Sequence, residues 1–149
     1  MRIALYQPDI AGNVGAVLRI GACFGVPVDI VEPCGFVFSD ARMRRAGMDY
    51  LAHVAMVCHA DWAAFRRAQP GRLVLLTAHG ATPLHATRFA ADDIVLMGSE
   101  SGGAPDLVHD AAALRVRIPM RPGLRSLNLA VSAGIALAEA LRQTEGFPE

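Results

Sequence analysis

Apolar runs and amphipathic stretches alternate along the whole chain. Short, continuous apolar runs predict buried strands, and apolar residues spaced three or four apart predict helices that pack against them. The predicted strands are residues 2–6, 28–31, 54–58, 72–77, 93–97 and 115–118. The predicted helices are residues 13–24, 40–46, 61–68, 104–110 and 126–143. Strands that alternate with helices are typical of an α/β fold with a mostly parallel sheet.

Residues at several of these boundaries are typical of helix ends. Gly25, with Pro27 two residues later, predicts the end of the first helix, and Asp61 is a favourable N-cap for the third. Asn13 has two equally open interpretations, as an N-cap of the first helix or as a hydrogen-bonding residue of a site. We expect Ser126 to cap the last helix and to line a pocket at the same time.

The composition is typical of a folded protein with a sizeable core. Hydrophobic residues make up 53% of the chain, which has no low-complexity tract or linker, so we expect residues 1–149 to form a single domain. No apolar run approaches the ~18–20 residues that a membrane span needs, and the N-terminus lacks a secretory signal. We therefore expect a cytoplasmic protein without a membrane partner. The spacing of the three cysteines and five histidines does not suit a metal site, so no metal is expected.

The placement of charge is more informative than its total. The formal net charge is zero, which argues against a large nucleic-acid interface. However, all basic residues are arginine, whose planar guanidinium binds phosphate and stacks on bases, so local clusters can still bind RNA. The candidate RNA-binding residues are Arg42, Arg44, Arg45, Arg121 and Arg125. The alternative for the first three is an ordinary solvated helix face.

Three loops that contain glycine follow predicted strand ends, which is where open α/β sheets bind ligands. The loops are residues 8–15, 98–105 and 118–128. None contains the glycine pattern of a phosphate-binding loop or of a dinucleotide-binding fold. Each loop alone can equally be a simple turn. Because Glu100, Ser126 and Asn128 are interleaved with the glycines, and Arg19 follows the first loop, the three together predict one composite site.

The order of these motifs resembles the SPOUT superfamily of methyltransferases, and within it the tRNA (cytidine/uridine-34 2′-O)-methyltransferase family. The resemblance covers essentially the whole chain. Its most specific parts are the Arg-Arg-Ala-Gly-Met-Asp-Tyr segment at 44–50 and the Ser-Leu-Asn segment at 126–128. The other matching parts are residues 5–8, Gly12 to Gly15 with Arg19, residues 30–36, residues 98–100 with Gly103 and Pro105, and residues 118–120.

This resemblance implies a structure and a cofactor. The implied fold has helices on both faces of the sheet and a deep C-terminal trefoil knot, a rare feature that periodicity does not predict. The crevice of the knot would bind S-adenosyl-L-methionine, without a metal. Carried over position by position, the cofactor-binding residues are Leu76, Thr77, Ala78, Gly98, Glu100, Gly103, Ile118, Met120, Ser126 and Leu127. The implied catalytic residues are Arg19, Ser126 and Asn128, with Arg19 nearest the target hydroxyl and reaching across a dimer.

The implied function is transfer of a methyl group from S-adenosylmethionine to a ribose 2′-hydroxyl of tRNA. The implied target is the wobble nucleotide, a cytidine or modified uridine at position 34. The expected partners are the tRNA anticodon stem-loop and a second copy of the chain, and not DNA. Two alternatives stay open: a SPOUT methyltransferase that acts on another tRNA or rRNA site, and a non-catalytic RNA-binding dimer with the same fold.

Overall fold

The structure, a computed structural model, describes residues 1–37 and 50–149. The strands are β1 (Arg2–Tyr6), β2 (Val28–Val31), β3 (Met56–His59), β4 (Leu73–Leu76), β5 (Thr82–Pro83), β6 (Ile94–Met97) and β7 (Leu114–Arg117). The helices are α1 (Ala11–Phe24), α2 (Trp62–Ala68), α3 (Asp106–Ala111) and α4 (Leu129–Thr144). The predicted helix over 40–46, with Arg42, Arg44 and Arg45, lies outside the described residues.

The strands form one sheet in the order β3-β2-β1-β6-β4-β7-β5, and every neighbouring pair is parallel. In its centre, Ile3 of β1 lies between Val28 of β2 and Val95 of β6. Strands that are buried on both faces have continuous apolar sequences. For that reason the predicted bounds of β4 and β6 are correct to within one residue. The predicted α/β fold with a mostly parallel sheet is confirmed.

Helices cover both faces of the sheet, as the resemblance implied. On one face, α1 and α4 pack against Ile3 and Leu5 of β1. On the other face, Phe65 of α2 and Val108 of α3 pack with Ala4. Successive residues of a strand point to opposite faces, so β1 contributes to both cores. None of the helices in the two described ranges is long and apolar enough to cross a membrane.

Two expectations about helix starts are wrong. The helix α1 begins at Ala11, and its N-cap, Ile10, makes no side-chain cap hydrogen bond, so Asn13 lies inside the helix and does not cap it. Asn128 caps α4, in place of Ser126, and its Oδ1 accepts from the backbone N–H groups two and three residues later. Asparagine and serine are about equally good caps, so the sequence alone does not choose between them. Here the backbone before Asn128 stays irregular.

Two other expected helix ends are confirmed. Gly25 ends α1 in the left-handed conformation, with φ at 66°. Asp61 caps α2 by accepting a hydrogen bond of 2.7 Å from the backbone N–H of Ala64. Both signals are local, because a cap depends on the few residues around it.

The carboxyl ends of β1, β4, β6 and β7 lie at the same edge of the sheet. Close backbone contacts fix the turns that follow β4 and β6. A Cβ atom at Gly80 would lie 2.4 Å from the carbonyl carbon of Val116 in β7. A Cβ atom at Gly98 would lie 2.5 Å from the carbonyl carbon of Gly103. Any larger residue at these two positions would displace the backbone, so this edge offers a rigid support for a site.

Candidate functional site

A cleft lies at the carboxyl edge of the sheet, where parallel α/β folds bind ligands. It consists of two adjoining cavities of about 410 and 1360 Å³, both of which are open to solvent. The residues that line both cavities are Leu76, Thr77, Ala78, Met97, Ser126, Leu127 and Ser132.

All ten residues predicted to bind a cofactor line this cleft. Ile118 and Met120 line the smaller cavity, and Gly98, Glu100 and Gly103 line the larger one. The other five, Leu76, Thr77, Ala78, Ser126 and Leu127, line both. The fold thus brings together side chains from the turn after β4 and from the second and third glycine-containing loops. Their contact with a cofactor stays a prediction.

The smaller cavity is mainly apolar with a few hydroxyl groups. Leu76, Met97 and Ile118 form apolar walls at three strand ends, and Ser126 and Ser132 add hydroxyl groups. A lining of this kind suits a planar heterocycle, which needs apolar contact on its faces and a few polar partners at its edge. Sequence reasoning missed Met97 and Ser132. A strand-end position was the available signal for Met97, whereas nothing in the sequence marks Ser132, one turn into α4.

The second loop is closed on itself by backbone hydrogen bonds. The N–H of Ser99 donates to the carbonyl of Gly103 at 2.8 Å, and the N–H of Gly103 donates back at 2.9 Å. Gly103 has φ at 65°, a conformation that favours glycine. The Ser99 hydroxyl oxygen also accepts from the N–H of Gly102 at 3.1 Å. These bonds give the wall of the larger cavity a fixed shape.

A chain of side-chain hydrogen bonds joins all three predicted loops. Glu100 Oε1 accepts from Asn13 Nδ2 at 2.8 Å, and Glu100 Oε2 accepts from the backbone N–H of Asp9 at 2.7 Å. Asn13 Oδ1 in turn accepts from Asn128 Nδ2 at 2.8 Å. Asn13 therefore serves as a hydrogen-bonding residue of the site, the second of its two open interpretations. Glu100 faces the cleft while its carboxylate is held by residues of this chain.

Asp9 makes a second connection between the first two loops. Its Oδ2 atom accepts from the hydroxyl of Ser101 at 2.6 Å and from the backbone N–H of Ser101 at 2.9 Å. The hydroxyl bond first, and the backbone bond second, lower the pKa of the Asp9 carboxyl below its usual value. A Cβ atom at Gly35 would lie 2.9 Å from Asp9, so the loop after β2 also packs closely here.

Arg19 is exposed on α1 and does not line the cleft of its own chain. Its guanidinium carbon lies 4.8 Å from the centre of the Tyr50 ring, in a cation–π contact. Asn13, which does face the cleft, lies six residues earlier in the same helix, and that spacing places the two side chains on different sides of α1. The structure therefore keeps Arg19 away from the cleft that the same chain forms.

The basic residues of the third loop lie at the surface. Arg121 and Arg125 are both exposed, in the segment that precedes α4. Exposed apolar side chains of Met120, Leu124 and Leu127 accompany them. The predicted RNA-binding residues that the structure describes are thus accessible, and their contact with RNA stays a prediction.

Among the described residues, no group of three or more histidine, cysteine, aspartate or glutamate side chains is placed to hold a metal ion.

Comparison with known proteins gives a consistent result. Residues 1–138 match the SpoU rRNA Methylase family. The tRNA (cytidine(34)-2′-O)-methyltransferase of Beijerinckia indica subsp. indica is 53% identical to this chain over 144 residues, which are 95% of this chain and 90% of the relative.

Solved structures agree with this assignment. A structure described as giving insight into the 2-OH methylation of C/U34 on tRNA is 41% identical, with a TM-score of 0.90 over 95% of this chain and 94% of its own. An AdoMet-bound rRNA methyltransferase from Sinorhizobium meliloti is 27% identical, with a TM-score of 0.84 over 95% of this chain and 55% of its own.

Proposed function

The chain belongs to the SpoU rRNA methylase family, and we propose that it transfers a methyl group from S-adenosylmethionine to the ribose 2′-hydroxyl of nucleotide 34 of tRNA. Relatives that match nearly its full length are enzymes of this specificity. The chain is accordingly a tRNA 2′-O-methyltransferase, and we propose the anticodon stem-loop as the part of the tRNA that it binds.

The observation that carries this proposal is the composition of the cleft. Its apolar walls, Leu76, Met97 and Ile118, suit the adenine ring of the methyl donor, and the serine hydroxyls and loop backbone supply polar partners. A related family member that binds AdoMet has the same fold at 27% identity. When bound, the donor supplies an activated methyl group on sulfur, so the protein needs only to align the reactants and assist loss of one proton.

We assign different residues to binding the donor, orienting the ribose and stabilising the developing charge. Ser126 lines both cavities, which supports a contact with the donor, whereas Asn128 caps the start of α4 and bonds to Asn13 of the first loop. Arg19 does not line the cleft of its own chain, which supports a role for it in the cleft of the partner subunit. Arginine does not lose its proton in proteins. We therefore assign Arg19 to orienting the target ribose and stabilising the developing negative charge on its 2′-oxygen, with the proton passing to water or phosphate.

The proposal includes a homodimer and a knot. Arg19 does not line the cleft of its own chain, so a second copy is needed to form the site that receives it. Exposed apolar residues on α4, Val131 and Ile135, lie four apart on one face and suit such a contact.

The trefoil knot would be formed by the segment that leads into α4, which carries Ser126 and Asn128. Arg121, Arg125, Arg42, Arg44 and Arg45 would contact the RNA backbone.

The test is methyl transfer from labelled S-adenosylmethionine to tRNA that lacks ribose methylation in the anticodon loop. Nuclease digestion and mass spectrometry then locate the modified nucleotide. A 2′-O-methyl group at nucleotide 34 is the expected result. A mark at another tRNA position or in rRNA would replace the proposed target while keeping the reaction. Binding of the donor with no mark on any RNA class would favour a non-catalytic RNA-binding dimer.

A further inference from the structure

Two histidines line the larger cavity of the cleft. His79 lies in the turn after β4, and His109 lies in α3. Neither belongs to the motifs that carry the family resemblance, and the mechanism above uses neither. They are therefore polar groups of the site that still lack a role.

The cleft has few ionisable side chains. Among the described residues that line it, only Glu100, His79 and His109 have ionisable side chains. The Glu100 carboxylate already accepts hydrogen bonds from Asp9 and Asn13, and it would repel a second anion. An imidazole carries one N–H donor when neutral and two when protonated. The two histidines are thus the only basic side chains among the described residues that line this cleft, and their N–H groups can donate to a carboxylate.

Local structure fixes the backbone positions of both histidines at the cavity. The backbone N–H of His79 donates to Thr77 Oγ1 at 3.4 Å, and the close packing of Gly80 on Val116 fixes the same turn. In α3, the N–H of His109 donates to the carbonyl oxygen of Pro105 at 3.1 Å. The adjacent Val108 is fully buried and anchors that helix to the sheet.

We propose that His79 and His109 bind the carboxylate at the amino-acid end of S-adenosylmethionine, an inference that rests on the proposed function. The donor has an uncharged adenosine part, a sulfonium, and an amino-acid end that carries one ammonium and one carboxylate. The smaller, mainly apolar cavity suits the adenosine part, and this leaves the larger cavity, with its two imidazoles, for the charged end. The tRNA phosphates have exposed arginines available to them in the third loop.

The experiment compares two ligands by calorimetry, without RNA and without turnover. S-adenosylhomocysteine carries the amino-acid end, whereas 5′-methylthioadenosine has the same nucleoside and thioether without it. The double variant His79→Ala/His109→Ala should bind S-adenosylhomocysteine about ten-fold or more weakly, because charge-assisted hydrogen bonds are lost. Its affinity for 5′-methylthioadenosine should equal that of the unaltered protein. His85→Ala, an exposed histidine outside the cleft, is the matched control and should change neither affinity.

Other outcomes would overturn the inference. Unchanged S-adenosylhomocysteine affinity in the double variant would remove both histidines from donor binding, and weaker tRNA binding alone would assign them to the RNA. Equal weakening of both ligands, in the double variant and in the milder variants His79→Gln and His109→Gln, would assign the two histidines to the structure of the cleft and would also overturn the inference. Failure of the unaltered protein to bind S-adenosylhomocysteine would instead contradict the proposed function itself.

Discussion

Asn128 Nδ2 donates a hydrogen bond of 2.8 Å to Asn13 Oδ1, although the two residues are 115 positions apart in the chain. Through this bond the start of α4 is held against the start of α1. Because Asn13 also donates to Glu100, one asparagine links the three loops that form the cleft.

Replacing Asn13 by alanine should loosen this connection. The change leaves Glu100 and Asn128 each without one hydrogen-bond partner, so we expect a loss of about 1–2 kcal/mol in the free energy of unfolding. We also expect a fall in kcat/KM of about ten-fold or more. Urea unfolding and methyl-transfer kinetics measure the two effects. Gly12→Ala is the matched control, since a Cβ atom there meets nothing within 4 Å. Equal behaviour of the two variants would contradict a linking role for Asn13.

Gly98→Ala should prevent donor binding. Its Cβ atom would lie 2.5 Å from the carbonyl carbon of Gly103 and 2.7 Å from the nitrogen of Ala104, so the loop that lines the larger cavity must shift. We expect at least a ten-fold loss of S-adenosylhomocysteine affinity by calorimetry. The control is Gly102→Ala in the same loop, whose Cβ atom would be 3.4 Å from the Ser99 hydroxyl. Normal binding by Gly98→Ala would place the donor elsewhere.

Arg19→Ala should separate binding from catalysis. The side chain lies outside the cleft of its own chain, so the affinity for S-adenosylhomocysteine should remain within about two-fold of the unaltered protein. Turnover should fall by about 100-fold or more, as when a group that stabilises developing charge is removed. Arg67→Ala, on the exposed side of α2, should leave both quantities unchanged. Full turnover by Arg19→Ala would remove this arginine from the mechanism.

Arg121 and Arg125 should contribute to RNA affinity through phosphate contacts. The double alanine variant should bind tRNA more weakly, and its log Kd should depend less steeply on log salt concentration, by a slope of about two for two lost contacts. Filter binding across a salt series measures both. Donor affinity without RNA is the control for intact folding. An unchanged salt slope would identify these residues as ordinary solvated surface, and the same test applies to Arg44 and Arg45.

The Asp9–Ser101 pair predicts a dependence of stability on pH. The two hydrogen bonds from Ser101 lower the pKa of Asp9 in the folded protein below its value in the unfolded chain. Their contribution is therefore fully present above the unfolded pKa, near pH 4, and is lost as the pH falls through the folded pKa. Asp9→Asn should cost no more than about 1 kcal/mol at pH 7, since Ser101 is exposed and solvent screens the pair.

Urea unfolding at a series of pH values checks this expectation. The difference between Asp9→Asn and the unaltered protein should shrink steadily below pH 4. Asp110→Asn, an exposed carboxylate in α3, serves as the control. A difference that stays constant down to pH 2 would show that the Asp9 charge makes no contribution.

The sequence predicts the parts of this protein that depend on local signals. Continuous apolar runs located β4 and β6, and Gly25 and Asp61 marked helix ends. The short edge strand β5 was missed because it has two residues, one of them Pro83, and pairs only with β7. Its position depends on a neighbour that is distant in the chain, which local propensity does not encode.

The same distinction, between local sequence signals and contacts of residues distant in the chain, applies to the site. Strand-end loops predicted where the cleft would lie, and the family resemblance supplied the ten lining positions. Neither source predicted that Asn13 would bond to Glu100 and Asn128, because that arrangement follows from how α1 and α4 pack together. His79 and His109 were missed for a related reason. No motif marks them, and only the folded chain brings the turn after β4 and the helix α3 to the same cavity.

The position of β1 in the sheet has a consequence for biosynthesis. This strand is made well before one of its two neighbours, β6, which ends at residue 97. At about 5–20 residues per second, the ribosome needs roughly 5–20 seconds to make the chain between them. During this time the apolar strand can pair on one side only, and the nascent chain is exposed to association with other chains. We therefore expect the yield of folded protein to depend on how well the emerging chain is shielded during translation.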